Sequence, residues 1–445
     1  MTAGTLYGGD TGADPLRASV HQTLEAAFRG LTDAGVTWAL IRGADDLAHP
    51  SGDVDVLVDG AAAPRLDGIL AAAGLHRMGM RGHGSHRFYF SYDADAGRWI
   101  KLDVVSRVDF GPHQEFRSPL AGPILGRRRR EGSLWRLAPE DEAWLLLLHL
   151  LLDKGQIAET RREAAHAAAR QATTAGPVAL FLGRTIAPGA DRRVVEVAFG
   201  GDAAEAEELA GFLAGRWAAR RPLRTRWNRR RNRTARRLEL PVALRTRGLV
   251  VALVGPDGAG KTTLSEGVRG DFPVPVRPVY MGLWQSSRWD GPLSSVPGGR
   301  VLQRTARIVR SAAAVRWHRS RGRLVLLDRF PQEALLPGSV DASRGGRLNL
   351  FLALRLAPAA QLVLLLDAPG ELMFARKGEH TPELLEERRQ AYVHLVEQFP
   401  DFAVLNAARS VEEVRRAALT AIWNRLHGAS DVPDVASRPR RVADR

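Results

Sequence analysis

An open parallel sheet wrapped by helices on both faces is the fold predicted for the C-terminal half of this 445-residue chain. Three observations predict it. Leu249-Val250-Val251-Ala252-Leu253-Val254 is an apolar run of strand length, suited to burial on both faces. It leads into Gly255-Pro256-Asp257-Gly258-Ala259-Gly260-Lys261-Thr262-Thr263, a GxxxxGK[ST] loop, and a helical pattern starts at Leu264. Further apolar runs then alternate with helical stretches at the spacing of strand–helix–strand units.

The loop carries a mechanism in its residue types. Gly255, Gly258 and Gly260 let backbone N–H groups turn toward one point, and the following helix N-terminus adds positive potential. Lys261 neutralises phosphate oxygens, Thr262 offers a hydroxyl to Mg²⁺, and Thr263 continues the cradle. The expected ligand is a nucleoside triphosphate, ATP with Mg²⁺. Beyond the loop, strands are predicted at 323–329, 361–366 and 402–405, with helices at 301–317, 348–356, 382–399 and 411–426. Strand ends converge on the ligand crevice in such a sheet, so Asp328 and Arg329 fall near the phosphates by topology.

These residues resemble thymidylate kinase and its nucleoside-monophosphate-kinase relatives. The resemblance rests on GPDGAGKTT, on Asp328-Arg329, on the strand LVLLLDAP at 362–369, on Arg376-Lys377-Gly378-Glu379 and on the helix running from Glu386 to Tyr392. It covers about residues 248–427. It implies a phosphotransferase in which Lys261 clamps the phosphates of ATP, Thr262 ligates Mg²⁺ and Asp328 holds the metal through water. Arg329 would grip the acceptor's anionic group, and Asp257 would lie beside the acceptor. Some kinases of this family carry an arginine inside the loop where this chain has Gly258, so Arg376 with Lys377 becomes the expected source of transition-state charge. The segment from Phe330 to Gly338 does not match a thymine pocket, which makes dTMP an expected poor acceptor. A nucleotide, a sugar or a glycan remains open. Trp284 and Trp289, after Tyr280, are candidates for stacking on a base or sugar ring, or for a packed lid.

The other end of the chain predicts a second catalytic candidate. Trp38-Ala39-Leu40-Ile41-Arg42-Gly43 is an apolar strand closing on glycine. Asp53-Val54-Asp55-Val56-Leu57-Val58 follows with period-two alternation, which turns Asp53 and Asp55 to one face and the valines to the core. Trp99-Ile100-Lys101-Leu102-Asp103-Val104-Val105 adds a third acid. Three carboxylates at one sheet edge would seat one or two Mg²⁺ ions for phosphoryl displacement. The order is similar to the α+β nucleotidyltransferase fold over about residues 18–110. Arg42-Gly43-Ala44 replaces that family's Gly-Ser or Gly-Gly, so the site is either working or a relic.

Composition bounds the rest. Apolar residues make up 45% and charged residues 25% of the chain, ordinary for a globular enzyme. There is no cysteine, which excludes disulfides and thiolate metal sites. The start, MTAGTLYGGDTGADP, has no basic-then-apolar leader pattern, and the apolar run near 144–148 is too short to span a bilayer. A soluble cytoplasmic protein is the expectation. The net charge of +15 is concentrated in residues 216–247, which hold thirteen arginines and one acid. That segment reads as a basic linker or surface helix, with anion binding, to nucleic acid or an anionic surface, as the other reading. Arg127 to Arg130 has the same two readings.

The expected organisation is a nucleotidyltransferase-like domain at 1–130 and a helical connector at 131–247. A P-loop kinase domain follows at 248–430, then a disordered tail at 431–445. Three functions stay open: an ATP-dependent kinase fused to a nucleotidyltransferase-like domain, a nucleotidyltransferase with an accessory P-loop domain, and a non-catalytic nucleotide-binding regulator.

Overall fold

The computed structural model describes residues 20–42, 46–240, 248–281, 299–330, 332–333, 336, 344–356 and 358–428. Gly43, Ala44, Trp284, Trp289, most of the 331–338 segment and the tail after 428 lie outside the described residues. The chain divides into two compact units, one within 1–91 and 99–240, the other within 92–98 and 241–445.

The first unit is mixed α/β. Its elements begin with α1 (Gln22–Asp33), β1 (Trp38–Arg42), β2 (Asp53–Val58), α2 (Leu66–Ala72), β3 (His76–Met78), β4 (His86–Asp93) and β5 (Arg98–Val105). Then come a small ribbon, β6 (Asp109–Phe110) with β7 (Phe116–Arg117), α3 (Ala121–Leu125) and a hairpin, β8 (Arg129–Glu131) with β9 (Leu134–Arg136). A seven-stranded sheet forms in the order β3-β4-β5-β2-β1-β9-β8. Helix α1 buries Leu24, Ala27, Phe28 and Leu31, spaced at i, i+3, i+4 and i+7, in one core with Val54, Val56 and Leu102 of the sheet. Each large apolar side chain so buried contributes about 1.5–3 kcal/mol.

Six helices complete this unit: α4 (Pro139–Leu148), α5 (Arg162–Gln171), α6 (Pro177–Phe181), α7 (Ala190–Gly200), α8 (Ala203–Arg220) and α9 (Pro222–Arg237). They do not form a separate connector. Ala39 of β1, Leu57 of β2 and Val105 of β5 share one hydrophobic cluster with Trp144, Leu151, Val194 and Trp217. A boundary at 130/131 would also fall inside the β8–β9 hairpin, whose strand β9 pairs in parallel with β1. Two members of the Arg127–Arg130 run make structural contacts. Arg127 binds Glu140 and Asp141, and Arg128 lies 4.3 Å over the Trp135 ring.

The second unit is a five-stranded sheet in the order β11-β12-β10-β13-β14, parallel throughout. Its elements run β10 (Val250–Val254), α10 (Lys261–Asp271), β11 (Val276–Tyr280), α11 (Gly299–Ser320), β12 (Leu324–Asp328), α12 (Arg344–Leu356) and β13 (Leu362–Asp367). They finish with α13 (Gly370–Lys377), α14 (Pro382–Val396), β14 (Phe402–Asn406) and α15 (Val411–His427). The first strand in sequence thus sits at the centre, fully buried, with its C-terminal end facing the crevice. Ser410 and Glu413 close a reciprocal capping box that starts α15. Strand β11 and helix α13 lie outside the elements predicted from the sequence. Pro275 and Pro278 argue against a strand, but β11 is an edge strand, where a missing N–H costs no ladder bond.

Candidate active site

The phosphate loop joins β10 to α10, and its backbone is bent at each glycine. Gly255, Gly258 and Gly260 have φ of 146°, 86° and 98°. Two of them are also fixed by neighbours. A Cβ on Gly255 would lie 2.8 Å from the Leu366 carbonyl oxygen, and one on Gly258 would lie 2.6 Å from that of Met373. The absence of an arginine at 258 therefore has a packing cause, because α13 passes directly over that position. Lys261 donates from Nζ to the carbonyls of Gly255 at 2.6 Å and Pro256 at 2.8 Å. Burial pushes its ammonium pKa down. The lysine is thus folded back over the loop, with its charge at the place where the loop can receive an anion. Thr262 and Thr263 are exposed at the start of α10.

Asp328 ends β12, directly beside Leu253 of the central strand, and is exposed. The next residue, Arg329, has φ of 62°, a left-handed conformation rare for a side chain of this size. Its Nη2 donates to Asp257 Oδ1 of the loop at 2.7 Å, and Nη1 lies 3.7 Å from Glu333 Oε2. Burial works against the Asp257 carboxylate, but Arg329, Lys261 and Lys377 outweigh it and hold the pKa below the ordinary aspartate range. Glu333 is buried. It accepts from the Phe330 N–H at 3.0 Å and from the Tyr392 hydroxyl at 2.9 Å. Burial pushes its carboxyl up despite Lys261 and these donors. Nothing in the sequence assigns Glu333 or Tyr392 a role. A glutamate four residues after an arginine is too common a pattern to signal that its side chain turns inward.

Arg376, the expected source of transition-state charge, lies beside the loop that follows β14. Its Nη2 donates to the Ala407 carbonyl at 3.0 Å, and it lines a groove of about 160 Å³ with Gly260, Leu264, Leu366, Arg409 and Val414. The cause is the register of α13, which ends at Lys377 and carries residue 376 toward the loop after β14. Lys377 binds Glu379 at 2.9 Å and acts on Asp257. Only Gly378 to Thr381 separates α13 from α14. Among the described residues, one set of three acidic or histidine side chains brings ligand atoms within 4.8 Å of one another: Asp257, Glu379 and His380.

The acids of the first unit stand side by side on β2 and β5, with Asp55 in register with Asp103 and Asp53 with Lys101. They occupy central strands, not a sheet edge, because β1, β9 and β8 extend the sheet beyond β2. Each has a cationic partner. Lys101 Nζ donates to Asp53 at 2.5 Å, Arg42 Nε approaches Asp55 at 2.9 Å, and His86 Nδ1 lies 2.8 Å from Asp103. Burial pushes Asp55 upward, with Asp103 and Asp53 adding repulsion and Arg42 opposing. Burial alone would lower His86, but the Asp103 hydrogen bond and charge carry it above its ordinary value. Asp103 Oδ1 is buried without a hydrogen-bond partner.

No family model matches the chain. A probable thymidylate kinase of Pyrococcus horikoshii is 27% identical over 206 residues, covering 41% of this chain and 99% of that protein. A solved thymidylate kinase of Candida albicans aligns with a TM-score of 0.31 at 17% identity, over 41% of this chain and 94% of that one. The sequence similarity, at low identity, supports a thymidylate-kinase-like P-loop region and a nucleotide-kinase-like function in coarse terms. Among the described residues no helix is long and apolar enough to cross a membrane.

Proposed function

We propose that the second unit transfers the γ-phosphoryl group of ATP to a nucleoside monophosphate or a related phosphate- or hydroxyl-bearing acceptor, a sugar among them. The observation that carries the reading is the Arg329–Asp257 bridge. It ties a left-handed arginine at the end of β12 to the loop that holds Lys261. A protein that only held nucleotide would need no second cation facing the loop. In the proposed reaction Lys261 leaves its two backbone carbonyls for the β,γ-phosphates, and Arg329 takes the acceptor's anionic group. Asp257 orients that arginine. Phosphoryl transfer depends on such positioning and charge neutralisation more than on covalent chemistry by the protein.

The groove beside Arg376 suits a flat heterocycle. Leu264 and Leu366 offer apolar faces, and the two guanidiniums of Arg376 and Arg409 can lie over a ring. We assign it to the adenine of ATP. The Thr262 hydroxyl at the start of α10 and the Asp328 carboxylate at the end of β12 are exposed hard-oxygen donors, a set that fits Mg²⁺. When bound, the ion would offset charge on the phosphates.

A second reading applies to the first unit. The register of Asp55 with Asp103 and the unpartnered Asp103 Oδ1 favour a nucleotidyltransferase-like metal site. Lys101, Arg42 and His86 weigh against it, because each already neutralises one acid.

Incubation of the purified chain with [γ-³²P]ATP and with [α-³²P]-labelled nucleotides, across a panel of nucleoside monophosphates and sugars, tests both. The γ-label should move to an acceptor, with dTMP a poor one. Lys261→Ala should reduce that transfer several hundredfold, the effect of about 3–4 kcal/mol from one preorganised charge. Unchanged turnover in a folded Lys261→Ala protein would remove the kinase assignment.

A further inference from the structure

Helix α9 is a fixed element of the first unit. Its inner face is polar and small: Thr225, Asn228, Asn232 and Ala235 are buried. Asn232 Nδ2 donates to the His113 carbonyl at 2.8 Å, and Arg236 donates to the carbonyls of Gly82 and Pro112. Arg229 Nε binds the buried Glu115 at 2.8 Å. At Gly82, with φ of 103°, a Cβ would lie 2.5 Å from the Asn232 carbonyl oxygen, so the helix is seated at backbone contact.

The outer face is unlike a solvated basic surface. Arg224, Arg226, Arg230, Arg231, Arg233 and Arg237 are exposed, and none pairs with a carboxylate among the described residues. Leu223 is 81% exposed and Trp227 is 67% exposed. At 100° per residue the two are one turn apart and stand roughly 140° around the helix from the centre of the buried stripe. On the same projection Arg226, Arg230, Arg233 and Arg237 flank them on one side, and Arg224 and Arg231 on the other. Arg230 thus stands directly opposite the buried stripe with Leu223 and Arg237 beside it, so the outward face is cationic with an exposed apolar pair set into it.

We infer that α9 docks this protein on an anionic phospholipid surface, with Leu223 and Trp227 entering the headgroup–acyl boundary and the flanking arginines on lipid phosphates and carboxylates. An interfacial helix can use this arrangement: an exposed leucine and tryptophan one turn apart, with guanidiniums beside them that reach outward to headgroups. A nucleic-acid duplex, held through its backbone phosphates, would give the exposed Leu223 side chain no apolar partner. The inference does not rest on the kinase reading, since α9 shares no residue with the phosphate loop.

The test is co-sedimentation of the full chain with vesicles. Binding is expected to phosphatidylcholine vesicles containing about a third phosphatidylserine, and not to pure phosphatidylcholine. The pair Arg226→Glu, Arg230→Glu should weaken binding at least about tenfold at about 0.1 M salt. Trp227→Ser with Leu223→Ser keeps the charge and should still weaken vesicle binding severalfold. Both sites are exposed, so the fold should hold, and Trp227→Ser alone provides a milder check. Arg192→Glu with Arg193→Glu, on the exposed face of α7, should change nothing. Three results would overturn the inference: no binding to the anionic vesicles, retention of full vesicle affinity by the serine pair, or tighter binding of duplex DNA or RNA than of vesicles at the same salt.

Discussion

At the scale of single residues, the loop and its partners explain both what the chain has and what it lacks. Gly258 is the clearest case. Its φ of 86° and the nearby Met373 carbonyl exclude any side chain unless α13 moves. Gly258→Arg should therefore fail to supply a loop arginine, and should destabilise the second unit by about 1–3 kcal/mol through strain at a left-handed position. Chemical denaturation of wild type and variant measures this. Glu333 gives a second prediction. Glu333→Gln retains a hydrogen-bond acceptor for the Phe330 N–H or the Tyr392 hydroxyl and removes the charge that faces Arg329. The acceptor KM should rise about tenfold, about 1.4 kcal/mol, while the KM for ATP stays near wild type. The linkage has a definite sign. Burial raises the folded-state pKa of Glu333 above its unfolded value, so the folded state holds the proton more tightly. Stability tied to this group is greatest at low pH and falls as pH rises through the window between the two values. Urea unfolding across that window should show the slope in wild type and its loss in Glu333→Gln. An equal slope in both proteins would mean that another group carries it.

At the scale of elements, α14 is tied to the end of β13 by an ion pair that the sequence does not advertise. Arg389 of α14 grips Asp367 at the end of β13 with two nitrogens, the longer contact being 2.9 Å, and also binds Glu386 at 2.8 Å. Gly370 lets the α14 N-terminus approach, since a Cβ there would lie 2.3 Å from the Pro382 carbonyl oxygen. Arg389→Ala should lower the stability of the second unit by about 1–2 kcal/mol, less than a buried charge pair because the guanidinium is part-exposed. Urea titration followed by circular dichroism would detect it. The parallel sheet and the phosphate loop were legible because an apolar strand, glycines and a lysine at fixed spacing have few other uses. Strand β11 was not, because Pro275 and Pro278 erase the alternation that signals a strand. The direction of Arg376 was not legible for a related reason: the sequence shows an arginine near a helix end, but not which way an eight-residue helix turns it. Helix α9 was read as a linker or surface helix because its arginines mask the period of Thr225, Asn228, Asn232 and Ala235, a buried stripe with almost no hydrophobic signal.

At the scale of the whole molecule, the position of the hydrophobic clusters decides what can be cut and what can be tested apart. Residues 131–240 contribute Trp144, Leu151, Val194 and Trp217 to the cluster that also contains Ala39, Leu57 and Val105. A protein ending at residue 130 would expose these three sheet residues and should not fold, whereas one ending at 240 retains the complete unit. Circular dichroism and thermal melting of the two fragments check this. The longer fragment then separates a working metal site from a relic. With Lys101, Arg42 and His86 already paired to Asp53, Asp55 and Asp103, a divalent ion must displace three protein cations. If the acids bind Mg²⁺ or Mn²⁺ regardless, the fragment should melt higher in millimolar metal, by the mass-action relation for a ligand of the native state alone. Asp53→Asn with Asp55→Asn should abolish that shift. If the internal pairs have replaced the metal, the melting temperature should not respond to metal. The same double substitution should then lower it, because Lys101 and Arg42 lose their counter-charges. In either case the full chain carrying both substitutions should keep its phosphoryl transfer from ATP, since Lys261, Asp328 and Arg329 belong to the other unit. Loss of that transfer in a folded double variant would show that the two units share one reaction.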